Sequence, residues 1–290
     1  MLACGTMGSA VLSGVLDALS SGSTAADGVS MPGKFLACVK RPESAARITS
    51  TYGDKVEVYL HKHTEAVAFA DVVVLGCKPQ MCEDILTMKG MQEALKGKIL
   101  ISLLAGTTIK QITDFVGPET IVVRAMPNTP CRIRQGMTVV CFPYLASPSS
   151  SSVDLVAVSA APSVKATIHW IFSQIGRALF LEEKHFDACT ALCGSGPAFA
   201  CVMLEAMTDG GVMMGLPFAV AQELAAQTMQ GAARMVLDGN HPAVIRNAVS
   251  TPGGCTIGGL LVMEDGKIRS TIARSIQEAT NIASGLGKKK

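Results

Sequence analysis

Aromatic and charged residues are both scarce in this chain. Phe, Trp and Tyr make up 4% of its 290 residues, and Asp, Glu, Lys and Arg make up 17%. The formal net charge is only +2, and no Lys/Arg cluster is interleaved with aromatic residues, so we expect no nucleic-acid partner. The core must be built from Ala, Val, Ile, Leu and Met, which suits close helix packing and a buried subunit interface.

Signals for metal binding and for a membrane span are also missing. The ten cysteines form no Cys-x-x-Cys pair and no Cys/His cluster with zinc spacing, so we expect no metal site. Buried, reduced thiols in a cytoplasmic enzyme are the simplest interpretation.

The uncharged stretch Ala188–Leu204 is shorter than the ~20 residues of a membrane span and contains Gly194-Ser195-Gly196-Pro197, which favours a buried helix. We find no signal peptide, although a targeting segment lost from a shortened start is compatible with this sequence.

The first ~180 residues alternate β-rich runs with helical stretches, which is typical of a parallel sheet covered by helices. The predicted strands are Phe35–Val39, Val56–Tyr59, Asp71–Gly76, Lys98–Leu103, Thr120–Arg124 and Met137–Phe142. The predicted helices between them are Met7–Leu19, Glu43–Ser50, Met81–Leu95 and Ile109–Phe115. Two Ser/Gly/Pro-rich stretches, Ser20–Gly33 and Ala146–Ser163, are predicted to be surface loops or insertions.

After Glu182-Glu183 the strand pattern stops. The remaining pattern predicts helices over Phe186–Met207, Pro217–Asp238 and Arg269–Ser284. The fold class that follows is an α/β Rossmann-type N-terminal domain with a parallel sheet, followed by an all-α C-terminal domain. We place the boundary so that residues 1–182 form the first domain and residues 183–290 the second.

A partial dinucleotide fingerprint stands at the start of the chain. In Gly-x-Gly-x-x-Gly the glycines allow a tight turn and a close backbone approach to the pyrophosphate, which lies at a helix N-terminus. Gly5 and Gly8 fill the second and third places, whereas Ala3 stands in the first. A plain strand–helix turn remains an alternative. Only Met1–Cys4 is left for a central strand, which usually needs five or six residues, so we expect a shortened start.

The second predicted strand ends in Lys40-Arg41 rather than in an acidic residue that would bind a ribose 2′-hydroxyl. Positive charge at this place suits a 2′-phosphate and therefore favours NADP over NAD. A solvated basic turn would look the same in the sequence, and that alternative stays open.

Long ordered blocks of the chain closely resemble the pyrroline-5-carboxylate reductase family. They are Val122–Pro130, Asp187–Phe199 with its continuation Asp209–Pro217, and Val249–Ile257. The resemblance runs from Ala3 to about Ser284. It implies reduction of the C=N bond of 1-pyrroline-5-carboxylate to L-proline, with NADPH as cofactor and NADH at lower preference. It also implies that the helical domain serves substrate binding and dimerisation, in a homodimer or a larger homo-oligomer built from dimers.

The resemblance assigns roles to particular residues. Those implied to bind the cofactor are Gly5, Thr6, Met7, Gly8, Lys40, Arg41, Gly76, Cys77, Lys78, Pro79, Ala105 and Gly106. Those implied to bind the substrate are Glu183, Thr251, Gly253, Gly254, Cys255 and Thr256. Thr256 is also implied to be catalytic, with its hydroxyl against the ring nitrogen.

The chemistry of the last segment is plausible from the residues alone. Thr251-Pro252-Gly253-Gly254 is a turn that leads into an apolar helix beginning near Thr256, and the free N–H groups of a helix start suit a carboxylate. No strong acid or base is evident. An iminium arrives already protonated and needs only a hydride, so positioning carries most of the task.

Some positions depart from the family pattern, and two rival functions remain. Ala3 replaces a glycine, Cys193 and Cys255 replace small or hydroxylated residues, and His63 stands where the family often has Asn near the adenosine. A hydroxyacid dehydrogenase of similar layout would need a base, usually a Lys on the first long helix of the second domain, but Phe186–Met214 contains no Lys. The other rival is an inactive or weakly active dinucleotide-binding relative.

Overall fold

The computed structural model of the chain describes residues 1–22, 31–143 and 162–285. Their contacts form two units, one of Met1–Gly194 together with the chain from Thr280 onward, the other of Ser195–Ala279. The boundary predicted between residues 182 and 183 stays a prediction. The predicted loops Ser20–Gly33 and Ala146–Ser163 lie largely outside the described residues.

The first unit is built around a sheet whose strands mostly match the predicted ones. They are β1 (Leu36–Val39), β2 (Glu57–Leu60), β3 (Val72–Leu75), β4 (Ile99–Ser102), β5 (Ile121–Met126), β6 (Gly136–Cys141) and β7 (Gly176–Phe180). β1 pairs with β2, and β3, β4 and β5 pair in sequence, all in parallel. β7 was not predicted, because Gly176, Arg177 and Ala178 carry little β propensity.

Leu2 joins the two parts of the sheet. It bridges in parallel to Cys38 of β1 and to Leu75 of β3. Its N–H donates to the Val74 carbonyl at 2.8 Å, and its carbonyl accepts the Gly76 N–H at 2.9 Å. The order is therefore β2-β1-Leu2-β3-β4-β5-β6-β7, and the central strand, predicted to be short, consists of a single bridging residue.

The predicted parallel sheet is confirmed for β1 to β5, and the direction changes at β6. β6 runs antiparallel to β5, and β7 is parallel to β6. The connection from Pro127 to Gln135 is shorter than the dozen or so residues that a parallel crossover needs, so the chain must turn back at this point.

Helices cover both faces of the sheet, as the continuous apolar strands require. They are α1 (Thr6–Ser20), α2 (Pro42–Tyr52), α3 (His63–Ala68), α4 (Cys82–Leu86), α5 (Met91–Leu95), α6 (Ile109–Val116), α7 (Pro162–Ser173) and α8 (Phe186–Cys189). Val73 and Leu75 belong to the core cluster on one face, and Val74 belongs to the cluster on the other. Met81–Leu95 was predicted as one helix, but it is broken where Gly90 takes a left-handed conformation with φ 80°.

The second unit is helical throughout, as predicted. Its helices are α9 (Gly196–Met213), α10 (Phe218–Leu237), α11 (Pro242–Ala248), α12 (Cys255–Asp265) and most of α13 (Ile268–Ala283). Small residues allow α9 and α10 to approach closely, since a Cβ atom added at Gly211 would lie 3.0 Å from the Ala221 Cβ.

The helix predicted over Phe186–Met207 is interrupted. A π-helical segment, Thr190–Ser195, separates α8 from α9. Pro197 has no N–H with which to bond the carbonyl four residues earlier, that of Cys193. The Asn128 side chain donates to that carbonyl instead, at 3.1 Å. The sequence therefore disrupts the regular helix at this point, and a residue of the 122–130 block satisfies the freed carbonyl.

The helical unit has almost no interior of its own. Of residues 195–279, all of which the structure describes, only Thr208, Ala221 and Ala225 are buried. Large apolar side chains are exposed along its helices, among them Val202, Leu224 and Leu261. The helical stretch Glu183–Met213 is also long and apolar enough to cross a membrane, which for a single helix is weak evidence. Exposed apolar area of this extent is typical of surfaces that interact with another protein or with a membrane.

Candidate functional site

The glycine loop lies at the carboxyl edge of the sheet, between the central Leu2 and β3. Gly5 is the N-cap of α1, and among the residues that the structure describes no side chain forms a cap hydrogen bond to the first turn of that helix. Gly5 and Gly76 approach each other, since a Cβ added at Gly5 would lie 3.9 Å from the Gly76 carbonyl oxygen. The chain reverses its direction of winding between these strands, which is where open α/β sheets bind ligands.

Gly76 and Gly8 leave little room for a side chain beside the loop. A Cβ added at Gly76 would lie 3.0 Å from the Ala3 carbonyl oxygen, and one at Gly8 would lie 3.0 Å from Met1 Cε. Thr6 and Met7 complete the first turn of α1 between them. The backbone therefore offers a close-packed cradle in which a pyrophosphate could meet N–H groups directly.

Ala3, in the place of the first glycine, adopts a left-handed conformation with φ 58°. This conformation is unfavourable for alanine and costs about 1 kcal/mol that glycine avoids. Ala3 therefore adopts a backbone conformation that favours glycine, at a cost in strain.

We predict that Ala3→Gly stabilises the protein by about 0.5–1 kcal/mol, because the relief of strain outweighs the greater entropy of glycine in the unfolded chain. The midpoint of thermal unfolding should rise by about 1–4 °C. Ala46→Gly, at an exposed position inside α2, is the matched control and should lower the midpoint. A fall in the midpoint for both variants would contradict the strain at Ala3.

The other predicted cofactor loops follow β3 and β4. Gly76, Cys77 and Lys78 come directly after β3, and Pro79 begins a short 3₁₀ turn. Ala105 and Gly106 form the turn between β4 and α6, and Gly106 has φ 72°. Burial raises the pKa of the Cys77 thiol to about 12, so it stays neutral beside this edge and adds no negative charge where a dinucleotide would bind.

A polar cavity of about 520 Å³ adjoins the glycine loop. Gly5 and Thr6 lie in its wall, and its basic residues are Arg41, Arg47, Arg132 and Arg134. The acidic residue in its lining, Asp17, is already paired with Arg134 at 2.5 Å. The surplus of positive charge suits a ligand that carries several phosphates.

Arg41 and Lys40, which were predicted together, lie in different surroundings. Arg41 lines the cavity, whereas the described lining residues do not include Lys40. Lys40 instead lies near His63, whose pKa is lowered first by burial, then by His61 and then by Lys40.

Sequence reasoning missed Ser44 and Arg47, which line the same cavity. The signal was available, because residues 41, 44 and 47 are spaced by three and a helix places such residues on one face. Arg132 and Arg134 had no such signal, since their short 3₁₀ segment is brought to α1 by the tertiary fold.

Glu183 was predicted to contact the substrate, and the structure gives one of its oxygens internal partners. Glu183 Oε1 accepts the Ile109 N–H at the start of α6 at 2.8 Å and an Arg124 N–H at 3.1 Å. Arg124 on β5 is only 4% exposed, and its guanidinium lies over the Phe186 ring at 4.6 Å. This carboxylate therefore balances a buried charge, whatever else it binds.

The predicted substrate turn lies in the helical unit. Gly253 has φ 67°, and the Gly254 N–H donates to the Thr251 carbonyl at 3.0 Å. A Cβ added at Gly254 would lie 2.4 Å from Thr251 Oγ1 and 3.1 Å from the Thr251 carbonyl oxygen, so a larger residue there would require Thr251 to shift. Gly254 is the N-cap of α12, without a side-chain cap, and Cys255 and Thr256 are its first residues. The turn thus presents the free N–H groups that a carboxylate would bind.

All ten cysteines lie in the described part of the chain. Every cysteine is free, but Cys201 and Cys255 are exposed, so the expectation of general burial is wrong for these two. Within residues 1–22, 31–143 and 162–285 there is no group of three or more His, Cys, Asp or Glu that could hold a metal ion.

Two family models match the chain. The model described as pyrroline-5-carboxylate reductase dimerisation matches residues 183–286. The model described as NADP oxidoreductase, coenzyme F420-dependent, matches residues 1–106. The stretch that would pass as a membrane span therefore lies in a region similar to a dimerisation domain.

Individual proteins similar to the chain carry related names. The pyrroline-5-carboxylate reductase of Schizosaccharomyces pombe is 51% identical, over 99% of this chain and 98% of that protein. A solved pyrroline-5-carboxylate reductase from Coxiella burnetii superposes with a TM-score of 0.81 at 25% identity, covering 99% of this chain and 97% of the other. The pyrroline carboxylate reductase of Plasmodium falciparum, solved with NADP bound, gives 0.77 at 23% identity, over 99% and 97%, and shows the fold alone.

Proposed function

We propose, because the chain belongs to the pyrroline-5-carboxylate reductase family, that it reduces the C=N bond of 1-pyrroline-5-carboxylate and yields L-proline, the last step of proline biosynthesis. The observation that carries the proposal is the 51% identity to the fission-yeast enzyme along 99% of this chain. The inactive-relative and hydroxyacid-dehydrogenase alternatives have no comparable support.

We further propose that the cofactor is NADPH, with NADH used less well. The cradle of Gly5, Gly8 and Gly76 leaves room for a pyrophosphate, and the arginines of the adjoining cavity suit phosphate charge. Lys78, Pro79, Ala105 and Gly106 follow neighbouring strands at the same edge of the sheet and would flank the rest of the molecule. When bound, NADPH supplies the hydride.

The substrate carboxylate would bind at the turn from Thr251 to Gly254. The uncapped start of α12 offers N–H groups and the positive end of the helix dipole, which together favour a carboxylate. Thr256, in the first turn of that helix, would direct its hydroxyl to the ring nitrogen and orient the iminium. Glu183 remains a proposed substrate neighbour through its part-exposed carboxylate, which is 32% exposed.

The proposed assembly is a homodimer, or a larger homo-oligomer built from dimers. It would cover the apolar side chains that the helical unit exposes, which a unit with so small an interior needs for stability. A cytoplasmic location remains a prediction. A monomer at micromolar concentration in light scattering would contradict the proposed assembly.

A coupled assay tests the function directly. NADPH oxidation should depend on added pyrroline-5-carboxylate, and proline should appear in equal amount. NADPH at ten times its Kd should stabilise the fold by roughly 1.4 kcal/mol through linkage. A thermal shift without turnover would favour the inactive relative, and the absence of both would reject the proposal.

We predict that Arg41→Ala raises the KM for NADPH about tenfold and leaves that for NADH unchanged, because a charge-assisted hydrogen bond to the 2′-phosphate is lost. Lys40→Ala, the neighbouring variant outside the cavity lining, should have the smaller effect. Steady-state kinetics with each cofactor make the comparison. An equal rise for both cofactors in Arg41→Ala would mean that this arginine does not read the phosphate.

A further inference from the structure

Arg47 on α2 hydrogen-bonds to residues on both sides of the glycine loop. Its Nη2 donates to the Cys4 carbonyl at 2.9 Å, and its Nη1 donates to Ser9 Oγ at 3.3 Å. Cys4 comes directly before the loop, and Ser9 follows directly after Gly8. A single guanidinium therefore contacts both ends of the segment Gly5–Gly8.

The residue that leads from the central strand toward the loop is strained. Met1, Leu2 and Ala3 hydrogen-bond through their backbones to β1 and β3, but Ala3 is held in a left-handed conformation with φ 58°. Support from another element helps to hold the loop that follows this residue. Among the described contacts, the Arg47 guanidinium supplies such support from α2, across 43 residues of chain.

We propose that Arg47 is a positioning residue for cofactor binding, which holds the glycine loop in the shape that receives the pyrophosphate. The inference rests on the proposed function. Because the pyrophosphate is common to NADPH and NADH, loss of Arg47 should weaken both cofactors alike. This distinguishes Arg47 from Arg41, whose loss should weaken NADPH alone.

The geometry also predicts how far lysine can replace Arg47. A guanidinium spreads its donors over separate nitrogens and can reach the Cys4 carbonyl and the Ser9 hydroxyl together, whereas an ammonium is a point charge on one nitrogen. Arg47→Lys should keep the charge and one contact, and its affinity should lie between those of the wild type and Arg47→Ala.

Tyr52 provides a matched control on the same helix. Its hydroxyl bonds to Ser13 Oγ at 2.8 Å and donates to the Ser9 carbonyl at 3.2 Å, so it ties α2 to α1 without contacting Cys4. Tyr52→Phe removes the hydrogen bonds between α2 and α1 that the Tyr52 hydroxyl makes, and it leaves the Arg47 bond to the Cys4 carbonyl in place. Arg177→Ala, on strand β7 at the far end of the sheet order, removes an exposed arginine and controls for net charge.

The experiment measures Kd for NADPH and NADH by titration, with kcat and the KM for pyrroline-5-carboxylate. Arg47→Ala should raise both cofactor Kd values about tenfold at an unchanged ratio, while kcat at saturating cofactor and the imine KM stay unchanged. Tyr52→Phe and Arg177→Ala should bind both cofactors as the wild type does. An unchanged unfolding midpoint without cofactor would show that the fold is retained.

Several outcomes would overturn the role of Arg47. If Arg47→Ala raised the Kd for NADPH alone, Arg47 would bind the 2′-phosphate directly. If Tyr52→Phe raised both Kd values equally, the effect would come from the packing of α2 on α1. If neither Kd rose in Arg47→Ala, Arg47 would have no part in cofactor binding. Wild-type protein that binds neither cofactor would instead reject the proposed function. The two failures are thus distinguishable.

Discussion

Thr256→Ala should lower kcat about 100-fold while the Kd for NADPH stays unchanged, since the hydroxyl is proposed to orient the iminium and a misplacement of the reacting atoms by about 1 Å can cost this factor. Thr256 stands in the first turn of α12, which follows directly on the turn closed by the Gly254 N–H. Its backbone therefore continues from a turn in which Gly254 packs closely against Thr251. Removing the hydroxyl leaves that backbone, and with it the carboxylate anchor, in place.

Thr256→Ser is the matched control, because it keeps the hydroxyl and removes only a methyl group. It should retain most of the turnover, and the KM for pyrroline-5-carboxylate should change little in either variant. Steady-state kinetics give kcat and the KM for pyrroline-5-carboxylate, and an NADPH titration on the same preparations gives the cofactor Kd. If Thr256→Ala kept its full kcat, the hydroxyl would have no part in the reaction. If it lost NADPH affinity instead, Thr256 would belong to cofactor binding.

The sequence predicted the parts of the fold that depend on local pattern. Val72–Leu75 and residues 99–101 are continuous apolar runs, and they lie in buried parallel strands that pair with each other. The fingerprint glycines predicted the loop, even though Ala3 stands in the first place. The α/β Rossmann-type domain followed by an all-helical domain, which these patterns indicated, is confirmed.

The features that the sequence did not predict depend on contacts between distant residues. Asn128 bonds the Cys193 carbonyl in the π-helical segment, and no helix periodicity indicates that bond. Arg41 and Lys40 are adjacent in the sequence after β1, but only Arg41 lines the cavity, and the sequence does not indicate this difference. The antiparallel turn into β6 follows from the length of its connection, which the strand pattern alone did not weigh.

The largest effect on stability is expected for Glu183→Gln, because it removes the charge that balances Arg124. That arginine is 4% exposed, and its Nε already has no hydrogen-bond partner among the described residues. Breaking a fully buried pair from one side costs about 3–5 kcal/mol. Since Glu183 is 32% exposed and water can partly replace its charge, we expect about 2–3 kcal/mol. The unfolding midpoint should fall by about 5–10 °C.

Glu182→Gln makes the same change one residue earlier, where the carboxylate pairs with Lys184 at 2.6 Å between two exposed side chains. Such surface pairs contribute little, so the unfolding midpoint of this control should equal that of the wild type.

The double variant Arg124→Met with Glu183→Gln removes both charges and should recover part of the lost stability, because no buried ion is then left unpaired. Equal melting of Glu183→Gln and the wild type would show that the pair does not stabilise the unit. A rise in the KM for pyrroline-5-carboxylate in Glu183→Gln at a temperature well below its midpoint would show that the same carboxylate also contacts substrate, in addition to balancing Arg124.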